Sequence, residues 1–186
     1  MAEAARQAAL RGLGAVSLAD VADAIGLSKS GLFKHFDSKE AMQLAVVEYV
    51  TDLFTSFAWR PAENLPTARA RLARAFELWL DWEDKEWAEG GCPIMAFSVE
   101  VDDQPGPVRD LLQKRLRQWR RTMVREFRAL RDPPLTEAEA EAAYFQMKSF
   151  ALGHLDARRI MGDANARRSA QAAFEALLER TARQAA

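Results

Sequence analysis

The run from Ser17 to Glu40, SLADVADAIGLSKSGLFKHFDSKE, leaves this chain few folds to choose from. Leu18, Val21, Ala22 and Ile25 recur at the spacing that gives a short helix one apolar face. Ser17 is placed to cap that helix, with Asp20 three residues on. Gly26 stands where the helix must stop and the chain must turn. Ser28 is then placed to cap a second short helix. Leu32 and Phe36 supply its buried face, and Lys29, Ser30, Lys34 and His35 its polar one. Two short helices around a tight glycine turn predict a helix-turn-helix over 18–36. Such a motif lays its second helix in the DNA major groove.

Ala22, Gly26 and Leu32 occupy the small, turn and buried positions of that motif. The following FKHFDSKE, Phe33 to Glu40, resembles the Y-x-H-F-x-S-K-E signature of the tetracycline-repressor (TetR) family. The resemblance spans roughly residues 4–58. Beyond that it rests on helical layout and on a Gly91-Cys92-Pro93 segment similar to one subgroup of the family. It implies an all-α protein, with a DNA-binding domain over 1–40 and a helical ligand-binding and dimerisation domain over 41–186. Relative to the family the chain begins late, without a first turn or basic arm. Either an upstream start or fewer contacts at that end accounts for it.

The residues expected to face DNA are Ser17, Ser28, Lys29, Ser30, Gly31, Phe33, Lys34, His35 and Lys39. Lysine donates to guanine O6 and N7, and serine pairs with several bases. Gly31 lets the backbone come close to DNA. Ser17 and Lys39 stand at helix starts, where hydroxyl, ammonium and backbone N–H groups hold phosphates. Phe33 departs from the family's tyrosine. The phenol's phosphate hydrogen bond is lost, worth about 1 kcal/mol, while contact with a thymine methyl is kept. The plain alternative is a helical hairpin with a solvated polar face.

A net charge of −1 is unusual for a duplex binder, whose affinity comes from neutralising phosphates. Residues 1–40 balance five basic side chains against five acidic ones. The segment from Ser28 to Phe36 carries lysine and no acid, which predicts a small local basic face. Hydrophobic residues make up 49% of the chain and charged ones 28%, ordinary for a globular protein. No apolar run is long enough to span a bilayer, and a lone Cys92 excludes an intrachain disulfide. With no signal-peptide pattern, the expected location is cytoplasmic.

The remaining chain reads as helices throughout. One is predicted over 2–12 and a long one over 38–57, capped by Asp37 with Glu40 and striped by Met42, Ala45, Val46, Tyr49, Val50, Leu53 and Phe57. A third begins at Pro66 and ends in an acidic tail of Asp81, Glu83, Asp84, Glu86 and Glu89. Ile94 to Val101 has an alternating pattern compatible with a strand, but a helix is expected there from its neighbours and the subgroup resemblance. Leu112, Leu116, Trp119, Met123, Phe127 and Leu130 mark the next helix, and Thr136 with Glu139 caps a long one closed by Gly162. A final helix starts near Asn165.

The resemblance implies a ligand cavity among these helices, for an apolar or aromatic small molecule. Trp79, Trp82, Phe97, Trp119, Met123, Phe127, Tyr144, Met147 and Phe150 are its candidate lining. The competing reading is that they fill the core. Residues 109–131 hold nine Lys or Arg. One could clamp a ligand carboxylate or phosphate, or the set could pair with the acidic tail at 81–89. The resemblance also implies a homodimer joined through the last two helices, with Tyr144, Met147, Ala151, His154, Phe174 and Leu178 as candidates. His154 alternatively reads as a hydrogen-bonded core residue. Nothing resembles a catalytic constellation, a metal-ligand spacing or a cofactor loop. The expected function is a repressor that binds a palindromic operator and is released by a small molecule. An activator or a ligand-independent regulator on the same fold is the first alternative, and a helical enzyme or scaffold the second.

Overall fold

A computed structural model describes residues 1–28, 30–31 and 35–183. Among these residues there are eight α-helices and no strand: α1 (Ala2–Arg11), α2 (Leu18–Ala24), α3 (Lys39–Ala58), α4 (Ala68–Asp81), α5 (Pro93–Glu100), α6 (Pro107–Arg128), α7 (Glu137–Arg159) and α8 (Ala166–Ala182). One π-helical turn, Trp82–Glu86, continues α4. No helix among the described residues is long and apolar enough to cross a membrane.

Local chemistry sets most helix ends. Thr67 Oγ1 accepts the Ala70 N–H at 3.1 Å and opens α4. Thr136 and Glu139 form the expected reciprocal box at the start of α7. Pro93 sits in the first turn of α5, where its missing N–H costs nothing. The alternating pattern at 94–101 therefore belongs to a helix. One cap differs from expectation. Ser38, and not Asp37, caps α3, its Oγ accepting the Ala41 N–H at 3.0 Å. The two residues are adjacent and both able to cap, so local sequence did not separate them.

The chain forms two compact units, residues 1–54 with 87–116 and residues 55–86 with 117–186. The first contains α1, α2, most of α3, α5 and the start of α6. Its core is built from Ala4, Ala5, Ala8, Leu13, Val16, Leu18, Val21, Ala22, Met42, Val46, Val47, Val50 and Phe97. Alanines on α1 let neighbouring backbones approach closely.

The second unit is dominated by α7 packed on α8, with α4 against both. Phe76 stacks on Phe174 with ring centroids 4.1 Å apart, and Phe127 meets Phe174 edge-on at 6.5 Å. Glu126 is buried at 4% exposure and is held by Arg71 Nε at 2.6 Å. That arginine also donates to the Leu65 carbonyl. Phe174 thus joins α4, α6 and α8. Phe174→Ala should lower the unfolding free energy by about 3–5 kcal/mol, measured by urea denaturation. A cost below about 1 kcal/mol would contradict this packing.

Candidate functional site

The polar edge of the first unit is built from short, locally determined pieces. Ser17 Oγ accepts the Asp20 N–H at 3.1 Å and donates to Asp20 Oδ2 at 2.7 Å, closing a capping box on α2. Leu18, Val21 and Ala22 are buried beneath it, as their spacing requires. Gly26 turns the chain with φ 69, a conformation that disfavours residues with a Cβ. Ser28 Oγ then accepts the Gly31 N–H at 3.1 Å and lies 3.3 Å from Ser30 Oγ. Ser30 and Gly31 are helical, and His35 is exposed on the turn that follows. Lys29, Leu32, Phe33 and Lys34 lie outside the described residues.

Two expected phosphate contacts have additional work. Ser17 is engaged by its cap, and the Lys39 ammonium donates to the Gly14 carbonyl. Both remain partly or fully exposed.

The loop joining α1 to α2 is held by a residue that sequence reasoning missed. Glu100, the last residue of α5, accepts the Leu13 N–H at 2.6 Å and the Gly14 N–H at 2.5 Å. A Cβ added at Gly14 would fall 2.8 Å from a Glu100 carboxylate oxygen, so the end of that side chain would have to shift to admit one. Gln43 of α3 donates to the Leu13 carbonyl at 3.3 Å. Arg115 of α6 meets Glu48 at 2.6 Å and Asp52 at 3.1 Å, both on α3. The helix-turn-helix and the helix after it are therefore fastened by charged side chains from 87–116. No local pattern announces Glu100 or Arg115, because their partners are 87 and 67 residues away.

The second unit holds most of the candidate ligand residues. Trp79, Trp82, Trp119, Met123, Phe127, Tyr144 and Met147 are all buried, and Phe150 is half-buried. Trp79 meets Trp119 edge-on at 5.6 Å, and Trp82 meets Phe57 at 5.9 Å. Phe97 belongs to the first unit, where it is fully buried. Burial pushes the Tyr144 phenol up to about 12, keeping it a neutral hydroxyl.

Tyr144, Met147, Ala151, His154, Phe174 and Leu178, expected at a dimer interface, are buried within a single chain. Phe145 at 70% exposure, with Ser149 and Gly153 on the same face of α7, remains open. That face borders a groove of about 220 Å³ between α7 and α8.

Asp81 and Asp84 of the acidic tail turn to α7, α8 and Lys85, not to the arginine-rich helix expected. Asp84 takes His154 Nε2 at 2.9 Å, Arg158 Nε at 2.8 Å and Arg167 Nη1 at 2.9 Å, from α7 and α8. Asp81 takes Arg167 and Lys85. Burial alone would raise the Asp84 carboxyl, but Arg167, His154 and Arg158 hold it below its usual value. In the second unit Arg120, Arg125 and Arg128 of α6 instead meet Glu141, Glu126 and Glu137, and Arg131 just beyond the helix meets Glu139. His154 is thus a hydrogen-bonded core residue. Among the described residues no group of His, Cys, Asp and Glu is arranged to hold a metal.

Two family profiles match the chain. "Bacterial regulatory proteins, tetR family" covers residues 1–46, and "Tetracyclin repressor-like, C-terminal domain" covers residues 68–174. No curated protein matches. Among solved structures, a TetR-family transcriptional regulator from Streptomyces coelicolor is similar with TM-score 0.84 and 15% identity, over 98% of this chain and 93% of that one. The regulator AibR, in complex with isovaleryl coenzyme A and operator DNA, aligns with TM-score 0.73 and 19% identity, over 95% and 94%. A putative regulator from Saccharomonospora viridis, in complex with choline, aligns with TM-score 0.74 and 22% identity, over 96% and 92%.

The Glu100 clamp makes a stability prediction. Glu100→Ala should cost about 1–2 kcal/mol by urea denaturation, since two charge-assisted bonds are lost at a partly solvated site. Its exposed neighbour Val99 should tolerate alanine within about 0.5 kcal/mol. Equal effects of the two would remove the clamp.

Proposed function

This chain belongs to the tetracycline-repressor (TetR) family, and from that premise we propose that it is a homodimeric repressor released from a palindromic operator by a small molecule. Its family and its structural neighbours are transcriptional regulators, not enzymes. The observation that carries the reading is the doubly capped, glycine-turned pair at Ser17–Asp20, Gly26 and Ser28–Gly31. In this reading residues 1–40 read DNA, and residues 41–186 bind the effector and the second subunit.

Ser28, Lys29, Ser30, Gly31, Phe33, Lys34 and His35 contact bases and phosphates, with Ser17 and Lys39 at the flanking helix starts. One such helix reads few base pairs. Two related by a dyad, about 34 Å apart, read a palindrome on one face of the duplex. The open face of α7, with exposed Phe145, and the adjoining surface of α8 supply the dimer contact. The effector acts only through its difference in affinity between DNA-competent and mis-spaced dimers. Solved relatives bound to isovaleryl coenzyme A and to choline support response to an organic ligand.

The test is binding to the DNA upstream of the protein's own gene across a salt series, against a scrambled fragment. Wild type should bind the native fragment with steep salt dependence. Lys34→Ala should weaken binding and shallow the log–log slope by about 0.9, one phosphate contact. Equal, salt-independent binding to both fragments would contradict a regulator.

A further inference from the structure

Arg121, Arg125 and Arg128 stand at i, i+4 and i+7 on α6, so one face of that helix presents all three. Each is exposed. Together with Val124, Ala129 and Pro134, and with Glu137 and Glu141 of α7, they line a groove of about 490 Å³ within the second unit. That volume is in the range of small-molecule sites. The loop from α6 to α7 is closed by its own backbone. The Leu135 N–H donates to the Arg128 carbonyl at 3.1 Å, and the Leu135 side chain is buried. None of the aromatic residues expected to hold an effector lines this groove.

The charges around it do not cancel. Glu141 is taken by Arg120 at 2.7 Å, and Glu137 by Arg128 at 3.2 Å. The buried Glu126 is taken by Arg71 at 2.6 Å. Arg125 reaches only that same glutamate, at 3.0 Å. Arg121 has no ion pair or hydrogen bond among the described residues. Two guanidinium charges, on Arg121 and Arg125, are therefore surplus to the acids present, and they lie one helical turn apart. Like charges at that spacing repel each other. An anion between them turns that repulsion into attraction. The guanidinium fork matches phosphate oxygens with two parallel hydrogen bonds.

We propose that this groove binds an organic phosphate monoester, with Arg121 and Arg125 holding the phosphate and Val124, Ala129 and Pro134 meeting its apolar body. A phosphate monoester carries about −1.5 to −2 at pH 7, which matches the two surplus charges. A carboxylate brings only one charge and leaves one arginine uncompensated. The inference goes beyond the repressor proposed above. It concerns a separate surface of the second unit and stands or falls without reference to the operator or to the effector.

The test is calorimetric titration of the full chain with phenyl phosphate, inorganic phosphate and benzoate near neutral pH. Wild type should bind phenyl phosphate at least ~10-fold more tightly than either comparator, because inorganic phosphate lacks the apolar body and benzoate lacks the second charge. Arg121→Gln should weaken phenyl phosphate binding at least ~10-fold. It should leave the unfolding temperature unchanged, since Arg121 has no partner to lose. Arg117→Gln is the control. It removes the same charge from the same helix, at an exposed position outside the groove, and should change affinity less than ~3-fold. Glu141→Gln removes an acid from the groove wall and frees Arg120, and should tighten binding.

Failure of wild type to bind phenyl phosphate overturns the proposal. Equal weakening by Arg117→Gln and Arg121→Gln also overturns it, and reduces the effect to the general charge of α6. Benzoate bound as tightly as phenyl phosphate overturns the assignment to phosphate. Specific, salt-sensitive DNA binding alongside any of these results would leave the regulator standing and remove only the phosphate site.

Discussion

Two backbone N–H groups in the loop between α1 and α2 have no partner in their own neighbourhood, and a carboxylate from α5 accepts both. Ala15 closes a turn over Leu13 and Gly14 by donating to the Gly12 carbonyl, and the two amides inside it go to Glu100. Placement of the helix-turn-helix against α1 therefore depends on an acid at the end of a helix far along the chain. Arg115 does the corresponding work on α3 by reaching Glu48 and Asp52. The DNA-reading segment is thus not a self-contained N-terminal piece. Residues 87–116 complete it.

The second unit distributes its charge differently. Its acids and bases sit mostly on helices that pack together, and each exposed pair contributes little on its own. The exceptions lie below the surface. Glu126 is buried and held by Arg71 at 2.6 Å and by Arg125 at 3.0 Å, so the charge in the core is shared between two arginines. Asp84 draws α7 and α8 onto the π turn through His154, Arg158 and Arg167. Glu83 stands beside that network outside its pairing.

Much of the first unit was legible in the sequence because its determinants are local. A capping serine, an acid three residues on and a turn glycine all act within one helical turn, so Ser17–Asp20, Gly26 and Ser28 read correctly. The helical reading of 94–101 also held, against its alternating pattern, because Pro93 starts the helix. Position along α3 was less legible, since Asp37 and Ser38 are equally able caps. The long-range clamps were not legible at all. Glu100 and Glu83 look like any other acids in a charged helix, and only folding places one on a loop and buries the other. For the same reason, apolar residues such as Tyr144 and Leu178 could not be divided between core and interface from their period alone. A single apolar stripe serves either purpose, and in this chain it is consumed by α7 packing on α8.

The central claim is that a carboxylate from α5 fixes the loop that positions the DNA-reading helices. Amide hydrogen exchange at Leu13 and Gly14 tests it most directly, comparing wild type with Glu100→Gln, which keeps the shape and removes the charge. The account predicts slow exchange at both amides in wild type and acceleration of at least ~10-fold in the variant, with α7 amides unchanged. Equal exchange in the two proteins would contradict it, and would mean the loop is held by the packing of α1 and α2 alone.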